Sequence, residues 1–194
     1  MFFDDQGPVP ETFRQLRERL AQAGLPHIFV GAVALNAHEY RRASEDVDLC
    51  MRRADLERFR QVFVGTVYQS VAGRPRKFYD PGTQVTFDIL VAGEIAGNTR
   101  KQQDVLFPDP TEAEVVHDTP VPSLARLIEL KLVTWRYKDW GDVVELIRIH
   151  DLPESFGDQF NPQVRSAYVQ CYDQKVEEDR YNPEIHDPPG GEGA

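Results

Sequence analysis

Residues 28–51 read IFVGAVALNAHEYRRASEDVDLCM, and this stretch decides the fold. It opens with a short apolar run that ends at the pair Gly31-Ala32, and the residues that follow have the composition of a short helix. It closes with Asp46-Val47-Asp48, where acidic and apolar residues alternate with a period of two. In a strand, this alternation places both aspartates on one face, about 6.5 Å apart along the backbone. Carboxylates at this spacing can share one divalent ion or bracket a pair of ions.

The small pair Gly31-Ala32 lies at the start of the expected helix. Small residues let backbone amides approach a ligand closely, and the unpaired amides of a helix start can bind phosphate. A turn of this kind followed by a carboxylate pair is what metal-assisted phosphoryl or nucleotidyl transfer requires. Each feature also has an ordinary interpretation, because Gly-Ala pairs are common in turns and the chain contains 32 acidic residues. Their order and separation favour the functional interpretation.

The whole stretch resembles the signature of the nucleotidyltransferase superfamily with a DNA-polymerase-β-like palm. That signature is a hydrophobic strand, a Gly-Gly or Gly-Ser turn, a helix, and Asp-x-Asp on the next strand. It is most similar to the small bacterial AbiE-toxin-like nucleotidyltransferases, which show Gly-Gly-x-Ala, a His, and Arg-x-Thr-x-Asp-hydrophobic-Asp. The matching residues here are Gly31 to Ala34, His38, and Arg42 to Asp48. Ser44 replaces the Thr and keeps its hydroxyl, whereas Ala32 replaces the second Gly or Ser and restricts the backbone where the triphosphate is expected.

Asp88 is the single acid in a second strand pattern, QVTFDILV at residues 84–91. A carboxylate in so apolar a strand must be paired or bound to a cation if it is buried, and would face water on an edge strand. The resemblance implies a third carboxylate on a later, adjacent strand, and Asp88 fits that position. It also implies that Asp46, Asp48 and Asp88 are the catalytic residues and hold Mg²⁺ or Mn²⁺.

Lys131 falls within the apolar stripe of a helix predicted over residues 123–137, with Ser123 as its N-cap. Such a lysine extends to solvent, pairs with an acid or faces a bound anion. The resemblance implies that Lys131 contacts phosphate or a site aspartate. Arg42 and Ser44 lie just upstream of the aspartates, where the guanidinium would hold phosphate or pair with an acid. The nucleotide-binding set expected from the sequence is therefore Gly31, Ala32, Arg42, Ser44 and Lys131.

The remaining patterns predict an α+β fold, in which a small mixed β-sheet with flanking helices is followed by a C-terminal helical subdomain. The expected domain bounds are 1–119, 120–180 and a disordered tail at 181–194. Residues 1–10 are expected to be a loose lead-in. A polar stretch with Gly73 and Pro75 follows the helix at 54–64 and ends in a turn at Pro81-Gly82, and residues 92–119 are expected to be polar and turn-rich. The other elements predicted are helices at 11–23, 33–39, 54–64, 142–149 and 161–178, with strands at 28–30 and 114–116.

Composition limits the functional classes. The 194 residues are 41% hydrophobic and 28% charged, which is typical of a globular protein in water. No apolar run approaches the roughly 20 residues of a membrane span, and the N-terminus has no signal-peptide pattern. Cys50 and Cys171 form neither a metal motif nor a disulfide framework, so a cytoplasmic location is expected. The net charge of −10 argues against a general nucleic-acid binder, whereas several arginines around the signature would suit a polyanionic substrate.

The sequence therefore predicts an enzyme that moves a nucleoside monophosphate from an NTP to an acceptor hydroxyl and releases pyrophosphate. The acceptor stays open between an RNA end, a protein side chain and a small molecule. The resemblance also implies a toxin–antitoxin component with a cognate partner. The alternative is a non-catalytic protein of the same fold that binds a nucleotide or a protein partner. A third interpretation treats the acids as a solvated sheet face.

Overall fold

The structure is a computed structural model, and it describes residues 6–97 and 104–181. Within those ranges the helices are α1 Pro8–Gln22, α2 Gly31–Ala37, α3 Arg53–Phe63, α4 Leu124–Leu132, α5 Tyr137–Ile149 and α6 Pro162–Tyr181. The strands are β1 Ile28–Phe29, β2 Asp46–Met51, β3 Gln69–Val71, β4 Arg74–Asp80, β5 Val85–Val91, β6 Glu114–Val116 and β7 Thr119–Val121. Short 3₁₀ helices lie at Pro110–Glu112 and Glu154–Gln159.

The first five strands form one mixed sheet in the order β1-β2-β5-β4-β3. The central strands β2 and β5 are parallel, and all other neighbours are antiparallel. A parallel pair needs a long crossover, which here contains α3, β3 and β4. Strands β6 and β7 pair separately, and the last three helices follow them. The predicted α+β fold, with a mixed sheet, flanking helices and a C-terminal helical region, is confirmed.

The two faces of the central strands differ in burial, as expected from the alternation of residues along their sequence. In β5 every odd residue from Val85 to Val91 is buried, and the even residues are half-buried. Phe87, on the odd face, is fully buried and makes ring contacts with Phe59 of α3 and with Tyr68 and Phe78. Truncating a buried phenylalanine to alanine costs about 3–5 kcal/mol. This face is therefore the core, and the even face is left for polar side chains.

The predicted turn at Pro81-Gly82 is confirmed, but the polar stretch before it contains two strands that the sequence did not indicate, β3 and β4. Strand β4 reads RPRKFYD, whose charge and proline argue against a strand in isolation. Two of its cations are neutralised by acids from elsewhere in the chain: Arg76 pairs with Glu94 and Lys77 with Asp88. The lead-in is also shorter than predicted, because α1 begins at Pro8, in the first turn where proline fits without loss of a hydrogen bond.

The helix predicted over residues 123–137 is divided in two. Ser123 caps α4 as predicted, with its hydroxyl accepting from the Arg126 amide at 3.3 Å. The helix then ends at Leu132, Trp135 adopts a left-handed conformation with φ 57°, and α5 begins at Tyr137 rather than near residue 142. The Trp140 indole donates to the Leu132 carbonyl at 3.1 Å, which holds the break closed. The break turns α5 back toward Lys131.

The other predicted elements are confirmed, with ends that differ by at most three residues. Strand β7 was not predicted, and its central residue is Pro120. One buried cluster joins residues of the sheet to residues of the last helices, for example Phe87 and Leu146. The domain boundary at 119/120 stays a prediction, and the predicted disordered tail lies outside the described residues apart from Tyr181, which ends α6. Among the described helices, none combines the length and apolar character of a transmembrane span.

Candidate active site

Three aspartates meet on the polar face of the central strands. Asp48 lies directly opposite Asp88 in the parallel β2–β5 register, and Asp46 lies two residues earlier on β2. One carboxylate oxygen from each lies within 4.8 Å of the others. Because β5 is an interior strand, the interpretation of Asp88 as a water-facing edge residue is wrong. The structure thus brings together all three acids that the sequence singled out, and their oxygen-only set fits a divalent ion such as Mg²⁺.

Gly31 packs directly against this acidic cluster. Its φ is +57°, and a Cβ added there would overlap with Oδ2 of Asp48. The backbone of β2 is tied to the same turn, because the Val30 amide donates to the Asp48 carbonyl at 3.0 Å. Glycine is therefore required both by the left-handed backbone and by the approach of a carboxylate. The first turn of α2 consequently lies beside the acids, as the sequence order indicates.

The pKa of Asp48 is raised to about 6, chiefly by burial and further by the charges of Asp46 and Asp88. Lys131 and Lys77 oppose this shift without cancelling it. A carboxyl group with a raised pKa lies in an environment that disfavours another negative charge. Burial and the two neighbouring acids thus both disfavour the ionised form of Asp48, and a cation bound beside it would favour that form.

Lys77, on β4, is a residue of this cluster that the sequence reading missed. Its ammonium donates to Oδ2 of Asp88 at 2.7 Å and lies 3.7 Å from Oδ2 of Asp46. Burial by itself would lower the pKa of Lys77, but the hydrogen bond to Asp88 and the nearby acids outweigh it, and the pKa is raised. The contact follows from the antiparallel pairing of β4 with β5, which places Lys77 opposite Asp88, and this pairing could be expected only if β4 had been recognised as a strand.

Ser44 fixes the orientation of the first aspartate. Its hydroxyl donates to Oδ1 of Asp46 at 3.1 Å and lies 3.4 Å from the Asp46 amide, for which it is the acceptor. This short loop of hydrogen bonds resembles the local turns that serine commonly forms with residues two positions away. The serine hydroxyl thus contacts the carboxylate directly.

Lys131 faces the acidic cluster from the helical side of the cleft. Its ammonium donates to Asp142 at 2.8 Å and to Asp139 at 3.0 Å. Both acids are almost fully buried, and Asp142 also accepts from Arg42 at 3.0 Å, while Arg136 pairs with Asp139. Burial would raise the pKa of Asp139, but the charge of Lys131 and the hydrogen bonds from Thr134 and Lys131 lower it. Of the three outcomes expected for Lys131, namely extension to solvent, pairing with an acid or contact with an anion, the structure shows pairing with acids. These acids are Asp139 and Asp142 of α5, and the lysine lines the same cleft as the three aspartates.

A cleft of about 640 Å³ separates the sheet from α4 and α5. One wall carries the three aspartates and the Gly31-Ala32 turn, and the opposite wall carries four cations. Those cations are Arg42, Lys131, Arg136 and Lys138. Clefts of a few hundred to about 1,000 Å³ suit small ligands and cofactors. Asp139 and Asp142 line the cleft among these cations and neutralise part of their charge. The excess of positive charge opposite the three aspartates fits a ligand that is bound through both metal ions and anionic groups.

His38 makes structural hydrogen bonds outside this cleft. Its Nε2 lies 2.8 Å from the Pro122 carbonyl, and its own carbonyl lies 2.9 Å from Nε2 of His150. The ring is buried and links the end of α2 to the segment that enters α4. The histidine of the signature therefore holds elements together rather than facing the carboxylates.

No protein-family model matches the chain, and no curated protein matches it in sequence. Similar solved structures include an antigenic nucleotidyltransferase-like protein from Paracoccidioides brasiliensis, with a TM-score of 0.51 and 13% identity over 85% of this chain and 87% of that one. ANT(2'')-Ia in complex with adenylyl-2''-tobramycin gives a TM-score of 0.50 and 15% identity over 84% of this chain and 97% of that one. The chain has the nucleotidyltransferase fold. This likeness concerns the fold and does not show particular closeness to AbiE-like toxins.

Proposed function

We propose that the protein is a metal-dependent nucleotidyltransferase that transfers a nucleoside monophosphate from an NTP to an acceptor hydroxyl. The observation that supports this most directly is the convergence of three carboxylate oxygens within 4.8 Å on adjacent strands of a nucleotidyltransferase fold. Asp46, Asp48 and Asp88 would hold Mg²⁺ or Mn²⁺. When bound, these ions would neutralise triphosphate charge and lower the pKa of the acceptor hydroxyl.

The residues of the chain would bind and orient the triphosphate across the cleft. Gly31 and Ala32 are the first residues of α2. The N–H groups in the first turn of a helix have no carbonyl acceptor within that helix, so these two amides can donate to phosphate oxygens. Lys131 and Arg42 would neutralise phosphate charge from the other wall, in exchange for part of their pairing with Asp142. Ser44 would keep Asp46 oriented through its hydrogen bond. At position 32, alanine allows fewer backbone conformations than the glycine of the signature would.

The reaction balances as an in-line displacement. The acceptor oxygen forms a bond to the α-phosphorus, the bond from the α-phosphorus to the bridging oxygen breaks, and pyrophosphate leaves with that electron pair. The proton of the acceptor hydroxyl passes to a base, for which the Asp88 carboxylate is the candidate. An RNA end, a protein side chain and a small molecule remain the acceptor classes. The cognate toxin–antitoxin partner and the cytoplasmic location stay predictions from the sequence.

A second candidate function is a non-catalytic nucleotide- or partner-binding module of the same fold. The bond between Lys77 and Asp88 favours it, because a lysine can neutralise part of the cluster without any metal. Asp48 argues against it. A raised pKa means that its ionised form destabilises the folded protein, which is hard to explain without a ligand that compensates.

Thermal unfolding with each of the four ribonucleoside triphosphates, with and without Mg²⁺, tests the proposal. We expect one or more triphosphates to raise the melting temperature only when Mg²⁺ is present. The variant Asp46→Asn/Asp48→Asn should lose this gain. A charge-matched control, Asp158→Asn/Asp173→Asn, removes two exposed acids from elsewhere and should keep it.

Activity is then measured as pyrophosphate release with the stabilising triphosphate and trial acceptors. Undiminished release by Asp46→Asn/Asp48→Asn would exclude the proposed site. A triphosphate that stabilises equally well without Mg²⁺, and in that variant, would favour the binding-module alternative.

A further inference from the structure

Lys77 is the residue of β4 that faces the acidic cluster. It lies opposite Asp88 in the antiparallel β4–β5 register, and Asp48 lies opposite Asp88 in the parallel β2–β5 register. Three charged residues therefore form one row across three neighbouring strands. The ammonium bridges acids on two different strands, at 2.7 Å from Asp88 and 3.7 Å from Asp46.

The ammonium is positioned to conflict with a metal ion. The side chain of Lys77 is only 23% exposed, so water screens its charge weakly. A divalent ion held by Asp46 and Asp88 would lie within a few ångströms of the ammonium, because both cations use the same two carboxylates. Like charges about 4 Å apart in a partly buried site repel strongly. The lysine and the ion thus compete for the same negative charge.

We propose that Lys77 is a built-in counter-ion of the acidic cluster, which holds Asp46 and Asp88 in place in the metal-free protein and competes with the divalent ion that they would share. The inference rests on the proposed function, because it takes the cluster to be a metal site. Lys77 acts through the two carboxylates and is therefore a positioning residue. Its charge makes metal binding weak in the protein alone and stronger once an anionic triphosphate adds negative charge to the site.

Two measurements with opposite expected signs test this. Mn²⁺ binding is followed by electron paramagnetic resonance of the free ion, without nucleotide, and the melting temperature is measured in chelator. Replacing the lysine in Lys77→Met should tighten Mn²⁺ binding about tenfold or more, since a repelling charge is removed. The same change should lower the melting temperature of the metal-free protein. A lysine with only a structural role would lower the melting temperature without tightening Mn²⁺ binding.

Matched variants isolate the position of the charge. Lys77→Arg keeps the charge and should keep the wild-type Mn²⁺ affinity. Arg76→Met removes a cation from the neighbouring position of β4, where it pairs with Glu94 and not with the cluster, and should leave Mn²⁺ affinity unchanged. Lys77→Gln retains a hydrogen-bond donor toward Asp88 and provides the same test if the methionine variant does not fold.

The outcomes separate this inference from the proposed function. Mn²⁺ binding that is lost in Asp46→Asn/Asp48→Asn but is unchanged or weaker in Lys77→Met would overturn the role of Lys77 and leave the metal site intact. Mn²⁺ binding by the Lys77→Met protein that is tighter than wild type, and that also requires Asp46 and Asp48, supports both. No Mn²⁺ binding by either wild type or Lys77→Met would overturn both.

Discussion

Asp48 and Asp88 lie directly opposite each other on the two parallel strands at the centre of the sheet. Residues that lie opposite each other on neighbouring strands point to the same face of the sheet. The aspartates of the two strands therefore form one cluster. With Asp46 two residues away, the cluster carries three acids and draws its nearest positive charge from Lys77. Repulsion among these acids therefore lowers the stability of the folded protein, and a bound cation would restore it.

The first prediction concerns Asp48 in the metal-free protein. Its pKa is raised from 3.8 to about 6, so the folded state binds a proton more tightly than the unfolded state. Stability is therefore lost as the pH rises through the window from about 4 to about 6, and at neutral pH the penalty is about 3 kcal/mol. Asp48→Asn should raise the free energy of unfolding at neutral pH by up to this amount. Urea denaturation in chelator measures it.

The pH dependence provides the control for that experiment. The difference in stability between Asp48→Asn and wild type should be small near pH 4 and grow to its full value above about pH 6. Other acids titrate in both proteins and cancel in the difference. A difference that does not vary with pH would contradict the environment described for Asp48.

The second prediction concerns the contact between Gly31 and Asp48. Gly31→Ala introduces strain at φ +57° and also a Cβ that overlaps with the carboxylate. Gly24 has a similar φ of +60° with nothing within 4 Å of an added Cβ, so Gly24→Ala measures the backbone strain alone, about 1–2 kcal/mol. Gly31→Ala should be more destabilising than Gly24→Ala and should reduce the melting-temperature gain from Mn²⁺. Equal loss of stability in the two variants would show that the carboxylate moves aside freely.

The sequence was sufficient for the parts of the site that local patterns encode. Asp46, Asp48 and Asp88 sit in strands whose period of two is visible without any neighbour. Their meeting then required only that β2 and β5 be adjacent, which the resemblance implied.

The rest of the site depends on contacts between distant residues. Lys77 lies on β4, whose charges suit a strand only because acids on other elements neutralise them. Lys131 contacts Asp139 and Asp142 only because the predicted helix ends at Leu132 and a second helix turns back. The residues after Leu132 have no helix propensity low enough to predict this end. Tertiary pairing overrode local preference at both places.

The third prediction concerns the two thiols. Burial raises the pKa of Cys50 and of Cys171 to about 12, and both are free. Because the thiolate is the reactive form, neither should react with a disulfide exchange reagent near pH 8 in the native protein. Adding denaturant should expose both thiols, and the rate should follow global unfolding. Rapid modification of one thiol in native buffer would show that its surroundings open locally.

The last prediction concerns the ion network on the helical wall. Lys131 is 12% exposed, and its partner Asp142 is 4% exposed. Removing one partner of a buried pair leaves an uncompensated charge, so Lys131→Met should lower the free energy of unfolding by about 3–5 kcal/mol. We expect a loss at the lower end of that range, because Arg42 still pairs with Asp142 and Arg136 still pairs with Asp139.

A double-mutant cycle with Asp142→Asn separates stability from ligand binding. The double variant Lys131→Met/Asp142→Asn should regain part of the stability that Lys131→Met loses, because the uncompensated charge is gone. It should not regain triphosphate affinity, because the cation that faces the cleft is still missing. Recovery of both in the double variant would mean that Lys131 only neutralises Asp142 and never contacts phosphate.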